Sequence, residues 1–89
     1  MCSYITEQAT IAGSAKGPAG WMAVDTATVY FDHPYHAPFD HSLNIDFVNN
    51  AAGAPVRVAL ELSAESARLL VDKILAALAQ GEAAHGAPA

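Results

Sequence analysis

Residues 21–48 read WMAVDTATVYFDHPYHAPFDHSLNIDFV, and apolar side chains alternate with polar ones in the parts that flank residues 34–40. Alternation with a period of two is typical of a strand that buries one face. The two prolines within residues 34–40 predict a stiff connection between the two alternating parts. The segment therefore predicts strands over residues 21–33 and 41–48 that pair as an antiparallel hairpin.

The flanking segments predict two further strands. Residues 3–12 mix β-branched and polar side chains and predict a first strand. Residues 13–20 hold three glycines and a proline, which indicates a loop. Residues 56–62, VRVALEL, alternate cleanly and predict a fourth strand after a turn over residues 49–55.

The last part of the chain predicts a helix. Ser63 is suited to the N-cap, and Glu65 places a negative charge in the first turn. The helix is expected to run to about Gln80, with Gly81 as a left-handed C-cap. Apolar residues at helical spacing form one stripe, which comprises Ala67, Leu70, Val71, Ile74 and Leu78.

These elements predict an α+β fold, a four-stranded antiparallel meander with one C-terminal helix packed on one face. Residues 1–81 are expected to form a single domain and residues 82–89 a flexible tail. One helix can hardly cover four strands. We therefore expect the opposite sheet face, which carries Tyr30 and Ala59 among polar groups, to meet a second copy in a homodimer.

Composition excludes several classes of partner. The chain has 89 residues, a net charge of −5 and only four lysines and arginines. Four scattered cations cannot form the basic stripe that nucleic acid requires, so we expect no nucleic-acid partner. No stretch of about 20 apolar residues is present and the start resembles no secretory signal, so we expect no membrane span and a cytoplasmic location. The single cysteine excludes an internal disulfide framework.

Three of the four histidines lie within nine residues of one another. His33 and His41 share the parity of the same sheet face, at the two sides of the hairpin mouth, where opposed β-carbons lie roughly 4.5–5.5 Å apart. Two imidazoles at that spacing can share a metal ion. The candidate ligands are His33, His36 and His41, with Cys2 or Asp40 as a fourth.

Imidazole with thiolate or carboxylate suits a divalent transition metal, either zinc, iron, nickel or copper. Three protein ligands would leave a position for water or a small-molecule ligand, as in a metalloenzyme, whereas four would close the site. The rival interpretation is a metal-free dimeric interaction module in which the histidines order the loop. A third is a metal-free acid–base pair, either Asp32 with His33 or Asp40 with His41. Whether the protein is an enzyme is left open.

Several segments of the chain are similar to a known family. They are the opening Met-Cys-Ser-Tyr-Ile-Thr, the Gly-Ser-Ala-Lys-Gly segment, and residues 30–47, YFDHPYHAPFDHSLNIDF, followed by RVALELSAESARLL. They resemble a family of short bacterial proteins of unknown function with an N-terminal Met-Cys-Ser/Thr-Tyr and a DHPxHAP…HxLNIDF motif. The resemblance covers nearly the whole chain except the tail. It implies no established activity, but it marks Cys2 and the histidines as motif positions.

Overall fold

A computed structural model describes residues 6–51 and 57–86. Four antiparallel strands form one open sheet in the order β1-β2-β3-β4, and a single helix follows them. This arrangement confirms the predicted α+β meander with a C-terminal helix. The elements are β1 (Thr6–Gly17), β2 (Gly20–Asp32), β3 (Ser42–Val48), β4 (Arg57–Leu62) and α1 (Ala64–His85).

The prediction of a loop over residues 13–20 is wrong for most of that segment. β1 continues to Gly17, which pairs with Gly20, so the turn itself is only two residues long. β2 offers a long row of backbone donors and acceptors, and satisfying them outweighs the low strand propensity of glycine. Gly20 has a φ of +113°, a conformation that glycine adopts without steric cost. The register of β1 shifts by one residue between Thr10 and Gly13, which is a β-bulge.

The predicted hairpin of β2 and β3 is confirmed. Phe31 pairs with Leu43, and Asp32 pairs with Ser42, so the connection between the strands leaves the sheet at this pair. Residues that pair across strands point to the same side of a sheet. The helix-side face is the one that α1 contacts, and it carries Phe31, Leu43, Ile45, Phe47 and Leu60. The loop-side face is the opposite one, and it carries Tyr30, Asp32, Asn44, Asp46, Arg57 and Glu61.

The most enclosed part of the described chain lies along β2 and β3. Val24 and Ala27 are its buried hydrophobic residues, and polar side chains are buried beside them on the loop-side face. Ser42 has no exposed surface, and its hydroxyl donates a hydrogen bond of 2.6 Å to the side-chain oxygen of Asn44. Burial of these polar groups is tolerated because each has a hydrogen-bond partner.

The N-terminus of α1 is as predicted, but its C-terminus is not. The Ser63 hydroxyl accepts the backbone N–H of Ser66 at 3.0 Å, which confirms the N-cap. The predicted end at Gln80 with Gly81 as C-cap is wrong, because the helix runs to His85 and Gly86 has the positive φ of +83°. Glutamate and alanine follow Gly81, and their high helix propensity carries the helix past the glycine.

α1 lies against β3 and β4 through residues of its first turns, among them Ala64 and Ala67. The stripe residues Leu70, Ile74 and Leu78 are 39%, 50% and 53% exposed, so the expectation that they are buried in the core is wrong for the single chain. No residue between Ala64 and His85 is buried. Within the described parts of the chain, no helix combines the length and apolar character needed to cross a membrane.

Candidate metal centre at the hairpin mouth

His33 and His41 face each other at the mouth of the β2–β3 hairpin. His33 directly follows β2 and His41 directly precedes β3, and their ring centroids lie 4.4 Å apart with the planes tilted by 31°. The shared parity of the two residues predicts this approach. Phe31 stacks on the ring of His41, with centroids 5.8 Å apart and planes within 6° of parallel. The helix-side face of β2 thus supports one of the two imidazoles.

Asp40 contacts both histidines through different atoms. Its backbone carbonyl lies 2.9 Å from Nδ1 of His33, and its carboxylate Oδ2 lies 2.9 Å from Nδ1 of His41. A carbonyl oxygen and an ionised carboxylate can only accept hydrogen bonds, so in both rings Nδ1 carries the proton and donates it. In the neutral form of each ring, Nε2 is then left with a lone pair, which is the form that binds metals.

The three side chains are close enough to share one ion. One candidate ligand atom from each of His33, Asp40 and His41 lies within 4.8 Å of the others. Ligand atoms around a tetrahedral metal at about 2.0–2.1 Å are separated by about 3.3 Å, so separations of up to 4.8 Å would have to shorten around a bound ion. All three residues are exposed, so the site is open to solvent.

Of the other two predicted ligands, His36 is not one of these three residues. His36 lies in the connection, where its backbone N–H donates to the carboxylate of Glu61 at 2.9 Å. The cluster of three therefore forms without the His36 imidazole. Cys2 lies outside the residues that the structure describes, so its part in the site stays a prediction.

Glu61 holds the connection between β2 and β3 in place. Its carboxylate accepts the backbone N–H groups of three consecutive residues, with Ala37 at 2.7 Å, His36 at 2.9 Å and Tyr35 as the third. The hydrogen bond from Ala37, followed by those from His36 and Tyr35, lowers the pKa of Glu61 below its ordinary value. The alternation of β4 predicts only that Glu61 points away from the helix, and no sequence signal identifies its three donors.

Asp25 holds the segment that follows β3 in the same way, through its carboxylate. Its carboxylate accepts the backbone N–H groups of Asn50 at 2.8 Å and Ala51 at 2.9 Å, and also the hydroxyl of Thr26 at 2.8 Å. These bonds, with the largest effect from that of Ala51, lower the pKa of Asp25. The segments before and after β3 are thus each held by a carboxylate on a neighbouring strand.

A cleft of about 570 Å³ lies between the connection and the loop-side face. Its lining includes His33 and Glu61, so the cleft and the histidine cluster share a residue. On its floor, the carboxylate Oδ2 of Asp46 accepts the hydroxyl of Tyr30 and Nη1 of Arg57, both at 3.2 Å. The Asp46 side chain is only 13% exposed, so its charge is paired where water is scarce.

Burial and the neighbouring Asp46 carboxylate also shift the pKa of Tyr30. Desolvation by burial raises the pKa of its hydroxyl, and the negative charge of Asp46 raises it further. The Tyr30 hydroxyl therefore stays protonated and donates to Asp46 throughout the neutral range. Both partners of the Asp46 carboxylate, Tyr30 and Arg57, lie in the same chain.

Comparison with known proteins gives one match. A search of curated proteins returned none, and a search of solved structures returned none either. The model described as "Family of unknown function (DUF6295)" matches residues 1–87, which is nearly the whole chain. The chain therefore belongs to the DUF6295 family of proteins of unknown function.

Proposed function

We propose that this protein binds a divalent transition metal at the mouth of the β2–β3 hairpin. The observation that supports the proposal best is the placement of Asp40 between His33 and His41, which leaves Nε2 of both rings with a lone pair. Metal-bound histidines commonly donate their second ring N–H to a carboxylate or a backbone carbonyl, which fixes the tautomer and the ring orientation. Asp40 supplies both kinds of acceptor, its backbone carbonyl to His33 and its carboxylate to His41.

The proposed ligands are the Nε2 atoms of His33 and His41, which suit zinc, iron, nickel or copper, and Asp40 supports both rings through their Nδ1 hydrogen bonds. Two imidazoles leave a coordination position free for a further ligand. The adjoining cleft contains His33 and is large enough for a small polar molecule, so such a ligand is the expected occupant of that position. Cys2 remains the proposed additional ligand if the N-terminal segment reaches this end of the sheet.

A second candidate function is a metal-free dimeric interaction module. The observation in its favour is that the connection is already held by hydrogen bonds within the protein. Asp40 binds both histidines and Glu61 binds three backbone N–H groups, so the loop has a defined shape without an ion. In this function the histidines serve to order a surface that a second copy or another partner contacts.

The two functions differ in metal content. Untagged protein, stripped of metal and titrated with zinc, iron(II), nickel and copper(II), is expected to bind close to one ion per chain, measured by calorimetry and elemental analysis. The His33→Ala/His41→Ala double variant removes both candidate nitrogens and is expected to lose this binding. His85→Ala, a matched change at the C-terminal turn of α1, is expected to keep it.

Wild-type protein that binds none of the four metals would contradict the metal-binding function and favour the interaction module. Equal loss of binding in His85→Ala would also contradict it, because the bound metal would then not depend on the hairpin mouth. His36→Ala determines whether the connection contributes a further ligand, and the structure favours unchanged stoichiometry in that variant.

A further inference from the structure

We propose that two copies of this chain pair through the apolar stripe of α1. The apolar stripe is defined here as Leu70, Val71, Ile74, Leu75 and Leu78, which are between 39% and 61% exposed. At 100° per residue these five side chains occupy one side of the helix, and Asp72 and Lys73 lie away from it. This surface lies on α1 and not at the connection that the second candidate function uses, and the proposal is independent of metal binding.

The part of the chain that the structure describes leaves this surface exposed. The described residues bury only Val24 and Ala27 among hydrophobic side chains, which is a small core for an 89-residue protein. The helix-side face of the sheet is also partly open, since Leu60 is 37% exposed and Phe47 is half-buried. The stripe and this part of the helix-side face are therefore both exposed to water in a single copy. Association with a second copy would remove this apolar surface from water.

The exposed area of the stripe determines how large the interface has to be. Five aliphatic side chains, each about half exposed, present several hundred Å² of apolar surface per copy. Stable protein interfaces typically bury about 1,200–2,000 Å² in total, so the interface is expected to combine the stripe with the partly open helix-side face. A smaller ligand would leave most of the stripe exposed, so the surface is suited to a macromolecular partner.

The pattern of the stripe favours a second copy as that partner. Val71, Ile74 and Leu78 follow one another at spacings of three and four residues, which is the repeat that packs one helix against a similar one. No charged residue interrupts this seam, so the same seam on another copy is complementary to it. A twofold axis would then bring identical stripes together, which is the commonest symmetry of homo-oligomers.

The first test is the mass of the full wild-type chain in solution, measured by sedimentation and light scattering over a wide concentration range. The expected mass is twice the 9.2 kDa of one chain, and the melting temperature should rise with protein concentration because folding and association are linked. A mass of one chain at all concentrations, with a concentration-independent melting temperature, would overturn the proposal.

The second test places a charge on either side of α1. Ile74→Glu introduces a carboxylate into the stripe and is expected to weaken dimerisation by about 100-fold or more, whereas Leu69→Glu on the opposite side should change it by less than about threefold. Leu69 is 58% exposed, so it is a matched control for position and exposure. Equal dissociation constants for the two variants would overturn the assignment of the stripe.

Ile74→Ala covers the case in which Ile74→Glu does not fold. Truncation of a central interface side chain is expected to raise the dissociation constant by about tenfold, and an unchanged constant would contradict the proposal. Metal stoichiometry measured on the same samples separates the two proposals. Wild-type protein that is monomeric with one ion bound per chain refutes this inference alone, and a wild-type dimer without metal refutes only the metal-binding function.

Discussion

The carboxylate of Glu61, on β4, accepts the backbone N–H of Ala37, in the connection between β2 and β3, at 2.7 Å. The same carboxylate accepts the N–H groups of Tyr35 and His36, so one side chain satisfies three consecutive donors. Because this connection leads from His33 to His41, its anchorage limits how far the two sides of the hairpin mouth can move apart. Glu61 therefore acts as a positioning residue for the candidate metal centre.

Glu61→Gln tests this role. The glutamine side chain keeps one acceptor oxygen but loses the charge and replaces the second oxygen with a donor, so it cannot accept all three N–H groups. We expect the amides of residues 35–37 to exchange their hydrogens about tenfold faster, and metal affinity to fall as well.

Glu7→Gln makes the same chemical change on the exposed strand β1 and is the control for the Glu61→Gln experiment. It should leave both the exchange rates of residues 35–37 and the metal affinity as in the wild type. Unchanged amide exchange in Glu61→Gln would show that the carboxylate does not hold the connection.

The two anchoring carboxylates also predict a dependence on pH. The hydrogen bonds lower the folded-state pKa of Glu61 and of Asp25 below their ordinary values of 4.5 and 3.8. A lowered pKa means that the stabilising contribution is fully present above the ordinary value. It is lost as the pH falls through the lower folded-state value.

Amide chemical shifts measured against pH provide the check. Those of residues 35–37 should change below pH 4.5, and those of residues 50 and 51 below pH 3.8. The changes for residues 35–37 should disappear in Glu61→Gln, and those for residues 50 and 51 should remain. A midpoint for residues 35–37 above the ordinary value would contradict the structure.

Asp40→Asn separates orientation of the histidines from charge. The backbone carbonyl that binds His33 is unaffected, but the carboxylate that accepts the Nδ1 proton of His41 is replaced by an amide. Loss of such a supporting carboxylate typically lowers metal affinity by about 10–100-fold, and we expect a decrease in this range by calorimetry. Asp72→Asn on α1 removes the same charge elsewhere and should have no effect. Equal affinities in the two variants would remove Asp40 from the site.

The extent of α1 can be tested at two glycines. Gly81 lies within the helix with no atom within 4 Å of an added β-carbon, so Gly81→Ala is expected to stabilise the protein by about 0.5–1 kcal/mol. Gly86 has a positive φ, so Gly86→Ala introduces strain and is expected to destabilise it. Chemical denaturation measures both. A destabilising Gly81→Ala would instead place the C-cap at Gly81.

The reactivity of Cys2 tests whether the N-terminal segment reaches the candidate metal centre. A thiolate bound to a metal is protected from alkylation, whereas a thiol in ordinary surroundings titrates near pH 8.5. We expect zinc to slow the alkylation of Cys2 and the His33→Ala/His41→Ala variant to lose this protection. Alkylation that is independent of zinc, with a midpoint near 8.5, would exclude Cys2 from the ligand set.

Much of the fold and part of the candidate site could be predicted from local patterns. The alternation of side chains along a strand is a property of a few consecutive residues, so parity alone predicts that His33 and His41 meet at the hairpin mouth. The same reasoning predicts that Arg57 and Glu61 share a face, and the structure places both on the loop-side face.

Secondary-structure propensity gave wrong predictions in two places, where backbone hydrogen bonding or the neighbouring residues determined the conformation. Residues 13–17 are strand because β2 satisfies their backbone groups, and Gly81 is helical because the residues on both sides favour a helix. Both errors concern glycine, whose wide range of conformations makes it a weak predictor when its neighbours are well ordered.

The partners of individual side chains required the tertiary structure. Glu61 meets the N–H of Ala37 across 24 residues because the connection folds back over the loop-side face. No periodic pattern encodes such a contact, since it depends on the path of an irregular segment. The exposure of the apolar stripe also depends on the tertiary structure. Periodicity predicts one apolar side of α1, but whether the sheet covers that side depends on where the helix extends beyond the sheet.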